Sequence, residues 1–497
     1  MTKQKNRKSR DKQYQSEKQN SKQPPPQRNQ KNLKSKGKPS ATDKKQRGQN
    51  NVTIEATCSG LTSEGKGIVQ WEGKQLEVAN LLPGETAEIV VSKKGRFNTE
   101  LKRVINPSED RANPPFTYYH EDAGCQIHHM NDQAQKRFKQ KTIDELMKPF
   151  GKPDPIITME HPYGYRNKNV MTFGLNNERQ IVSGLYAPNT HRIVPMERSL
   201  LHDPKADEII QTIKGMMKSF KMQPYNEDTG RGFLRHVLIR VGKFSGEIMV
   251  VLVAASPVFK GKNNFIKALR KTHPEITTIL LNVNNRSDSM VLGDQEKVLF
   301  GKGTITDTLC GLEFEISAKS FYQINPVQTE KLYKKAIEMA ELIGEETVVD
   351  AYCGIGTIGL VASQKAGKVI GVELNKDAVR DAIRNSKRNG VKNARFYQGD
   401  AGEFMVQMAA RGENADVVIM DPPRSGSDEA FLSSVVKLQP KRVVYVSCNP
   451  ETQARDMKYL VNNGYEVKRI QPVDMFPQTV HVEAVTKLVR KEETGNQ

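Results

Sequence analysis

The chain has 497 residues, 27% of them charged, with a formal net charge of +19 and five cysteines. That length exceeds a single core and fits about three globular units plus tails. No run of about 18 apolar residues occurs and no apolar signal core follows the N-terminal lysines, which excludes a membrane span or secretory leader and predicts a cytoplasmic protein; the odd, scattered cysteines (Cys58, Cys125, Cys310, Cys353, Cys448) argue against a disulfide framework.

Most of the positive charge is a tail. Residues 1–49 carry sixteen Lys and Arg against Asp11, Glu17 and Asp43. Rich in Gln, Asn, Ser and Pro with almost nothing to bury, this segment is expected to be a disordered basic arm. It suits counterion-releasing contact with phosphates, or serves only to solubilise.

Residues 50–108 change texture to short alternating segments at 52–58, 67–71, 76–78, 87–93 and 100–105, punctuated by Gly65, Gly73, Gly84 and Gly95. The spacing predicts a small five-stranded barrel of the OB kind. Lys93, Lys94, Arg96, Lys102 and Arg103 gather near its last hairpin, which fits either an RNA-binding barrel or an inert spacer. Residues 109–317 read as a central α+β region expected to contact RNA. Helical spacing marks 131–148 and 204–220, and strands are predicted at 170–175, 180–186, 235–241, 247–254, 277–283, 303–309 and 312–316. His120, Cys125, His128 and His129 fall within ten residues, but a lone thiol without a Cys-x-x-Cys partner fits no standard zinc spacing, and no metal site is predicted.

From 318 to 490 helices and strands alternate regularly, with strands at 348–351, 368–373, 394–397, 416–420 and 442–447 separated by helices. Two closing strands, 465–474 and 482–489, have no helix between them. The alternation predicts a doubly wound, Rossmann-like α/β sheet, and the closing pair predicts an antiparallel terminal hairpin.

Three stretches of this region carry chemistry. The turn Asp350-Ala351-Tyr352-Cys353-Gly354-Ile355-Gly356 leads from a strand into a helix, and Glu373 ends the next strand nineteen residues past Gly354, placed to accept from ribose hydroxyls. This pattern suits a nucleoside cofactor, with NAD and S-adenosylmethionine both compatible. Asp421-Pro422-Pro423-Arg424 makes a stiff turn that holds a carboxylate over the cofactor's reactive end, which favours methyl transfer over hydride transfer. Val446-Ser447-Cys448-Asn449-Pro450 delivers a thiol to a strand tip. Alone, Cys448 fits a core residue or a nucleophile. With Asp421 one strand away and His481-Val482-Glu483 opening the last strand beside it, the nucleophile reading gains support.

Together with Phe321-Tyr322-Gln323-Ile324-Asn325 and Asp474-Met475-Phe476-Pro477, these motifs resemble those of the bacterial RNA 5-methyluridine methyltransferases, and the 50–108 barrel is similar to the TRAM domain that many of them carry. The resemblance spans about residues 52–490. It implies that Gln323, Tyr352, Glu373 and Asp421 bind S-adenosylmethionine, with Asp400 a further cofactor position. It also implies that Cys448 is the nucleophile attacking uracil C6 and Glu483 the base. Some rRNA-modifying members hold an iron–sulfur cluster on four cysteines, three of them just after the barrel; here only Cys125 is in place, and no cluster is expected. The barrel and arm favour 23S rRNA as substrate over tRNA. Alternatives are 5-methylcytidine formation, although the Pro-Cys context of those enzymes is missing; a dehydrogenase; and a non-catalytic RNA-binding or ribosome-assembly factor.

Overall fold

The computed structural model describes residues 51–92, 98–112, 124–187 and 190–492. The basic arm, Lys93, Lys94, Arg96 and His120 lie outside the described residues. Six strands open the described chain: β1 (Asn51–Thr57), β2 (Gly60–Leu61), β3 (Gly67–Trp71), β4 (Lys74–Val78), β5 (Thr86–Ser92) and β6 (Asn98–Asn106). They form two three-stranded antiparallel sheets, β1-β5-β6 and β2-β3-β4, in place of one five-stranded set. The additional strand, β2, has two residues and shows no alternation to read. The two sheets share one small core in which Val69, Val78, Ala87, Ile89 and Val91 are buried, and Cys58 belongs to it.

Next come α1 (Asp132–Met147), β7 (Lys168–Leu175), β8 (Ile181–Tyr186), β9 (Ile193–Pro195), α2 (Pro204–Met217), β10 (Leu234–Val241), β11 (Ile248–Ala254), α3 (Lys262–Thr272), β12 (Ile276–Val283) and β13 (Gln295–Phe300). The strands build a sheet in the order β13-β12-β11-β10-β7-β8-β9, antiparallel except where α3 links β11 to β12. Its central strands β10 and β11 are buried along their whole length. The helices α2 and α3 cover one face, and the hairpin of β14 (Ile305–Leu309) and β15 (Leu312–Ile316) packs on the other. The predicted elements do not include α3, β9 or β13. In α3 the buried Phe265 and Leu269 keep an i, i+4 helical spacing, but over only eleven residues, and β13 is a mostly exposed edge strand whose charges protect the edge at the cost of the alternation.

The last region contains α4 (Pro326–Ala340), β16 (Thr347–Ala351), α5 (Thr357–Ser363), β17 (Lys368–Glu373), α6 (Lys376–Arg388), β18 (Ala394–Gln398), α7 (Ala401–Ala410), β19 (Val417–Met420), α8 (Glu429–Leu438), β20 (Arg442–Ser447), α9 (Pro450–Asn462), β21 (Tyr465–Val473) and β22 (Glu483–Arg490). The sheet order is β18-β17-β16-β19-β20-β22-β21. The first five strands are parallel, while β22 runs antiparallel to both neighbours. The expected doubly wound sheet with its terminal hairpin is therefore present. Strand order reverses between β16 and β19, which opens a crevice at the carboxyl edge.

One helix crosses the expected division of the chain. Ile143 and Met147 of α1 and Ile156 are buried against this sheet together with Val443, Ile470 and Leu488. The segment after α1 also pairs with β21, with Asp154 N–H donating to Ile470 O (2.8 Å) and Ile157 N–H to Pro472 O (3.0 Å).

Candidate active site

Register brings the site residues to one edge. Ala351 lies opposite Val372 and Met420, so Tyr352, Glu373 and Asp421 follow at the tips of β16, β17 and β19. Ser447 lies opposite Ala484, so Cys448 and Glu483 form the next pair beyond that ladder. Asp400 stands beyond β18 as the N-cap of α7, exposed, accepting from Glu403 N–H at 2.9 Å.

The β16–β17 half is shaped for a nucleoside. Tyr352, Gly354 and Gly356 have φ of +64°, +56° and +82°. A Cβ at Gly356 would meet Phe396 at 2.9 Å, whereas one at Gly354 would point into open space, leaving room for a ligand against the backbone. Glu373 steadies the turn, with one carboxyl oxygen accepting from Gly354 N–H (3.0 Å) and the other from Asn375 N–H (2.8 Å). Each oxygen retains a lone pair for a hydroxyl. Tyr352 stacks at a tilt on Phe431, 4.9 Å between centroids, so its ring forms a half-buried wall. These residues fit S-adenosylmethionine. Gln323 is anchored through its main chain, its carbonyl accepting from Asn167 Nδ2 at 3.0 Å; among the described residues no hydrogen bond brings its side chain onto the other cofactor residues.

The β19–β20–β22 half holds ionisable groups away from water. Cys448 is partly exposed and Glu483 is 2% exposed. Burial pushes the Glu483 carboxyl up to about 8, with the charge of Asp421 adding to the rise and Arg424 opposing it. Burial likewise brings Asp421 to about 7 and the underlying Asp350 to about 8. The Cys448 thiol is pushed up to about 11 by burial, then by Glu483 and Asp421, against the pull of Arg424. Among the described residues no hydrogen bond to the Glu483 carboxyl is seen.

Contacts that hold these tips in place are largely invisible in the sequence. Asn449 caps α9 by accepting from Glu451 N–H (3.2 Å), while its Nδ2 donates to Arg424 O (3.0 Å). The Asp421 turn is thereby tied to the residue after Cys448. Arg455 donates to Ser425 O and Ser427 O, and buried Asp456 accepts from Ser427 N–H (2.8 Å) and Tyr445 OH (2.7 Å). Gly426, at φ +73°, is required there, since a Cβ would meet Asp456 and Arg455 at 2.6 Å. Before β22, the Asp474–Pro477 stretch is gripped by Lys139 Nζ on Asp474 Oδ1 (2.6 Å), by Tyr165 OH on Pro477 O (2.9 Å) and by Asn325 Nδ2 on Met475 O (3.0 Å). Asn325 and the Asp474–Pro477 stretch belong to motifs visible in the sequence; Lys139 and Tyr165 do not.

Away from the edge, His128 Nδ1 meets the Cys125 carbonyl at 3.0 Å, and among the described residues no group of His, Cys, Asp and Glu suits a metal ion. No described helix is long and apolar enough to cross a membrane. Phe321 is 69% exposed beside Gln323, an apolar ring left open to a partner.

Comparison with known proteins agrees with this geometry. The model of the tRNA (uracil-5-)-methyltransferase family matches residues 130–491, a span that begins with α1 rather than with the 318–490 region. An uncharacterized RNA methyltransferase of Halalkalibacterium halodurans is 42% identical over 448 residues, covering 89% of this chain and 98% of its own. One from Listeria innocua is 41% identical over 448 residues, with the same coverage. Among solved structures, the Pyrococcus abyssi tRNA (uracil-54, C5)-methyltransferase in complex with S-adenosyl-L-homocysteine superposes with a TM-score of 0.72 at 27% identity, covering 88% of this chain and all of that one. The chain belongs to the tRNA (uracil-5-)-methyltransferase family and is an S-adenosylmethionine-dependent enzyme that methylates uracil C5 in RNA.

Proposed function

We propose that the enzyme methylates a uridine of 23S rRNA through a covalent adduct on Cys448, with Glu483 as the base. The observation that supports the assignment of roles is the placement of Cys448 and Glu483 one step beyond the Ser447–Ala484 pair that ends the β20–β22 ladder, beside Asp421 and Arg424. Gln323, Tyr352, Glu373, Asp400 and Asp421 would hold the cofactor. When bound, S-adenosylmethionine supplies an electrophilic methyl group on a sulfonium cation. Uracil C5 is a weak nucleophile until Sγ of Cys448 adds at C6, which makes the ring an enolate with carbanion character at C5. After C5 has been methylated, Glu483 removes the C5 proton and the Sγ–C6 bond breaks, regenerating the uracil ring and the thiolate. The target base must leave its stack to present this edge, and exposed Phe321 offers it a stacking surface.

The N-terminal β unit, read as a TRAM module, and the basic arm support a large RNA as substrate. A tRNA is the second reading, favoured by the likeness to the Pyrococcus enzyme. Cys125 lacks neighbouring thiols in the sequence, which supports a cofactor set without an iron–sulfur cluster. Two measurements test the proposal. Cys448→Ala is expected to bind RNA and S-adenosylhomocysteine but to form no 5-methyluridine; turnover near wild type would remove Cys448 as nucleophile. Mapping 5-methyluridine in total RNA of a deletion strain is expected to show a loss in 23S rRNA, and a loss confined to tRNA would establish the second reading.

A further inference from the structure

Lys168 of β7 lies directly opposite Arg240 of β10, so the two side chains leave the same face of the central sheet. Arg166 stands two residues ahead of Lys168. Burial, followed by the charges of Arg240 and Arg166, brings the Lys168 ammonium down to about 8. Like charges directly opposed in a sheet are destabilising, yet among the described residues no carboxylate forms an ion pair with any of the three. Arg240 is 2% exposed, and its Nε is buried without a partner. Three cations held together at this cost, one with an unused donor, form a site that an anion would complete.

Its position says which anion. Arg240 Nη2 donates to the carbonyls of Ala318 and Ser320, immediately before the exposed Phe321 ring. Asn167, between Arg166 and Lys168, holds the carbonyls of Gln323 and Ile324. The cluster thus adjoins the segment that leads into the site, while the cofactor turn lies on β16 of the other sheet. Arg166 and Lys168 are partly exposed and open to a chain passing over them.

We propose that Arg166, Lys168 and Arg240 seat a phosphodiester of the substrate RNA close to the reactive nucleotide, fixing the strand while its base is turned into the site. This rests on the RNA reading above and adds a site to it. The test compares the wild type with Lys168→Gln and Lys168→Arg, using a short fluorescein-labelled oligouridylate and anisotropy titrations between about 50 and 200 mM salt. Lys168→Gln is expected to lower the slope of log Kd against log salt by about 0.7, the value for one lost contact to a single strand. Lys168→Arg is expected to keep the slope. Calorimetric affinity for S-adenosylhomocysteine should not change, and without RNA the Lys168→Gln protein should melt at a higher temperature, because a like-charge repulsion is gone.

An unchanged slope would overturn the proposal, and so would a lower melting temperature, which marks a structural lysine. A loss of S-adenosylhomocysteine affinity would assign the cluster to the cofactor carboxylate instead. Inorganic phosphate that raises the wild-type melting temperature without competing with the oligouridylate would assign a free-anion site. A slope change alongside a deletion strain that loses no 5-methyluridine from 23S rRNA would leave the phosphate seat standing and remove the 23S rRNA reading.

Discussion

Cys448 lies in a field that opposes its ionisation, with two carboxyl groups and burial acting against one exposed guanidinium. The free protein therefore holds a thiol at neutral pH, and the nucleophile should form only when positive charge arrives with the cofactor. Iodoacetamide labelling of Cys448, followed by mass spectrometry across pH, is expected to show a midpoint near 11 in the free protein. S-adenosylmethionine should lower that midpoint and S-adenosylhomocysteine, lacking the sulfonium charge, should lower it less. Equal midpoints with the two ligands would place the activation elsewhere. Glu483 gives the complementary case. Its folded value of about 8 lies above the ordinary carboxyl value near 4.3, so the folded state keeps a proton that the unfolded chain has lost. The stability tied to that proton is complete below about pH 4 and declines as the pH rises through about 8. Glu483→Gln carries no such titration, so its melting temperature should exceed that of the wild type by a margin that widens from pH 5 to pH 9, while methylation is lost. A constant margin would mean that Glu483 is not held in its protonated form.

Between elements, the site depends on loops tied down by α9. Asn449 has two separable functions, the cap on Glu451 N–H and the clamp on Arg424 O. Serine keeps a cap of similar strength but is too short to reach across to Arg424. Asn449→Ser should therefore retain the melting temperature and S-adenosylhomocysteine affinity, while kcat falls by on the order of 10²-fold because the Asp421 turn is displaced from Cys448. Unchanged kcat would show that Thr452, which also donates to Arg424 O (3.3 Å), together with Arg455 and Asp456 holds the turn without Asn449. The legibility of these features in the sequence follows from their range. The C-terminal strands, the glycine turn and the residues at the strand tips could be read because each is written in a local period or a short motif, and register then places them on one edge. The two-residue strand β2 and the edge strand β13 have too few buried side chains to leave a period, and α3, whose buried Phe265 and Leu269 share one face, is only eleven residues long.

At the scale of the molecule, what could not be read is the pairing of distant segments. Residues 131–157 pack on the sheet formed by residues 347–490, so the region that does the chemistry is not contiguous in the chain. Lys139 and Asp474 show the consequence most sharply, since nothing local marks either as a partner across 335 residues. Lys139 is 0% exposed and Asp474 5%. Burial drives the lysine down and the carboxyl up, and their mutual attraction opposes both shifts. Lys139 also donates to Phe476 O (3.0 Å), so α1 fixes the path of the chain into Glu483. Removing one member should leave the other charge buried and unpaired, and Lys139→Met is expected to cost about 3–5 kcal/mol in urea unfolding. Replacing both, with Lys139→Met and Asp474→Leu, should recover most of that loss, because a well-packed apolar pair avoids desolvation altogether. Methylation should remain impaired in the double variant, since neither new side chain donates to Phe476 O. Full activity in a stable double variant would show that the pair serves the fold without placing Glu483.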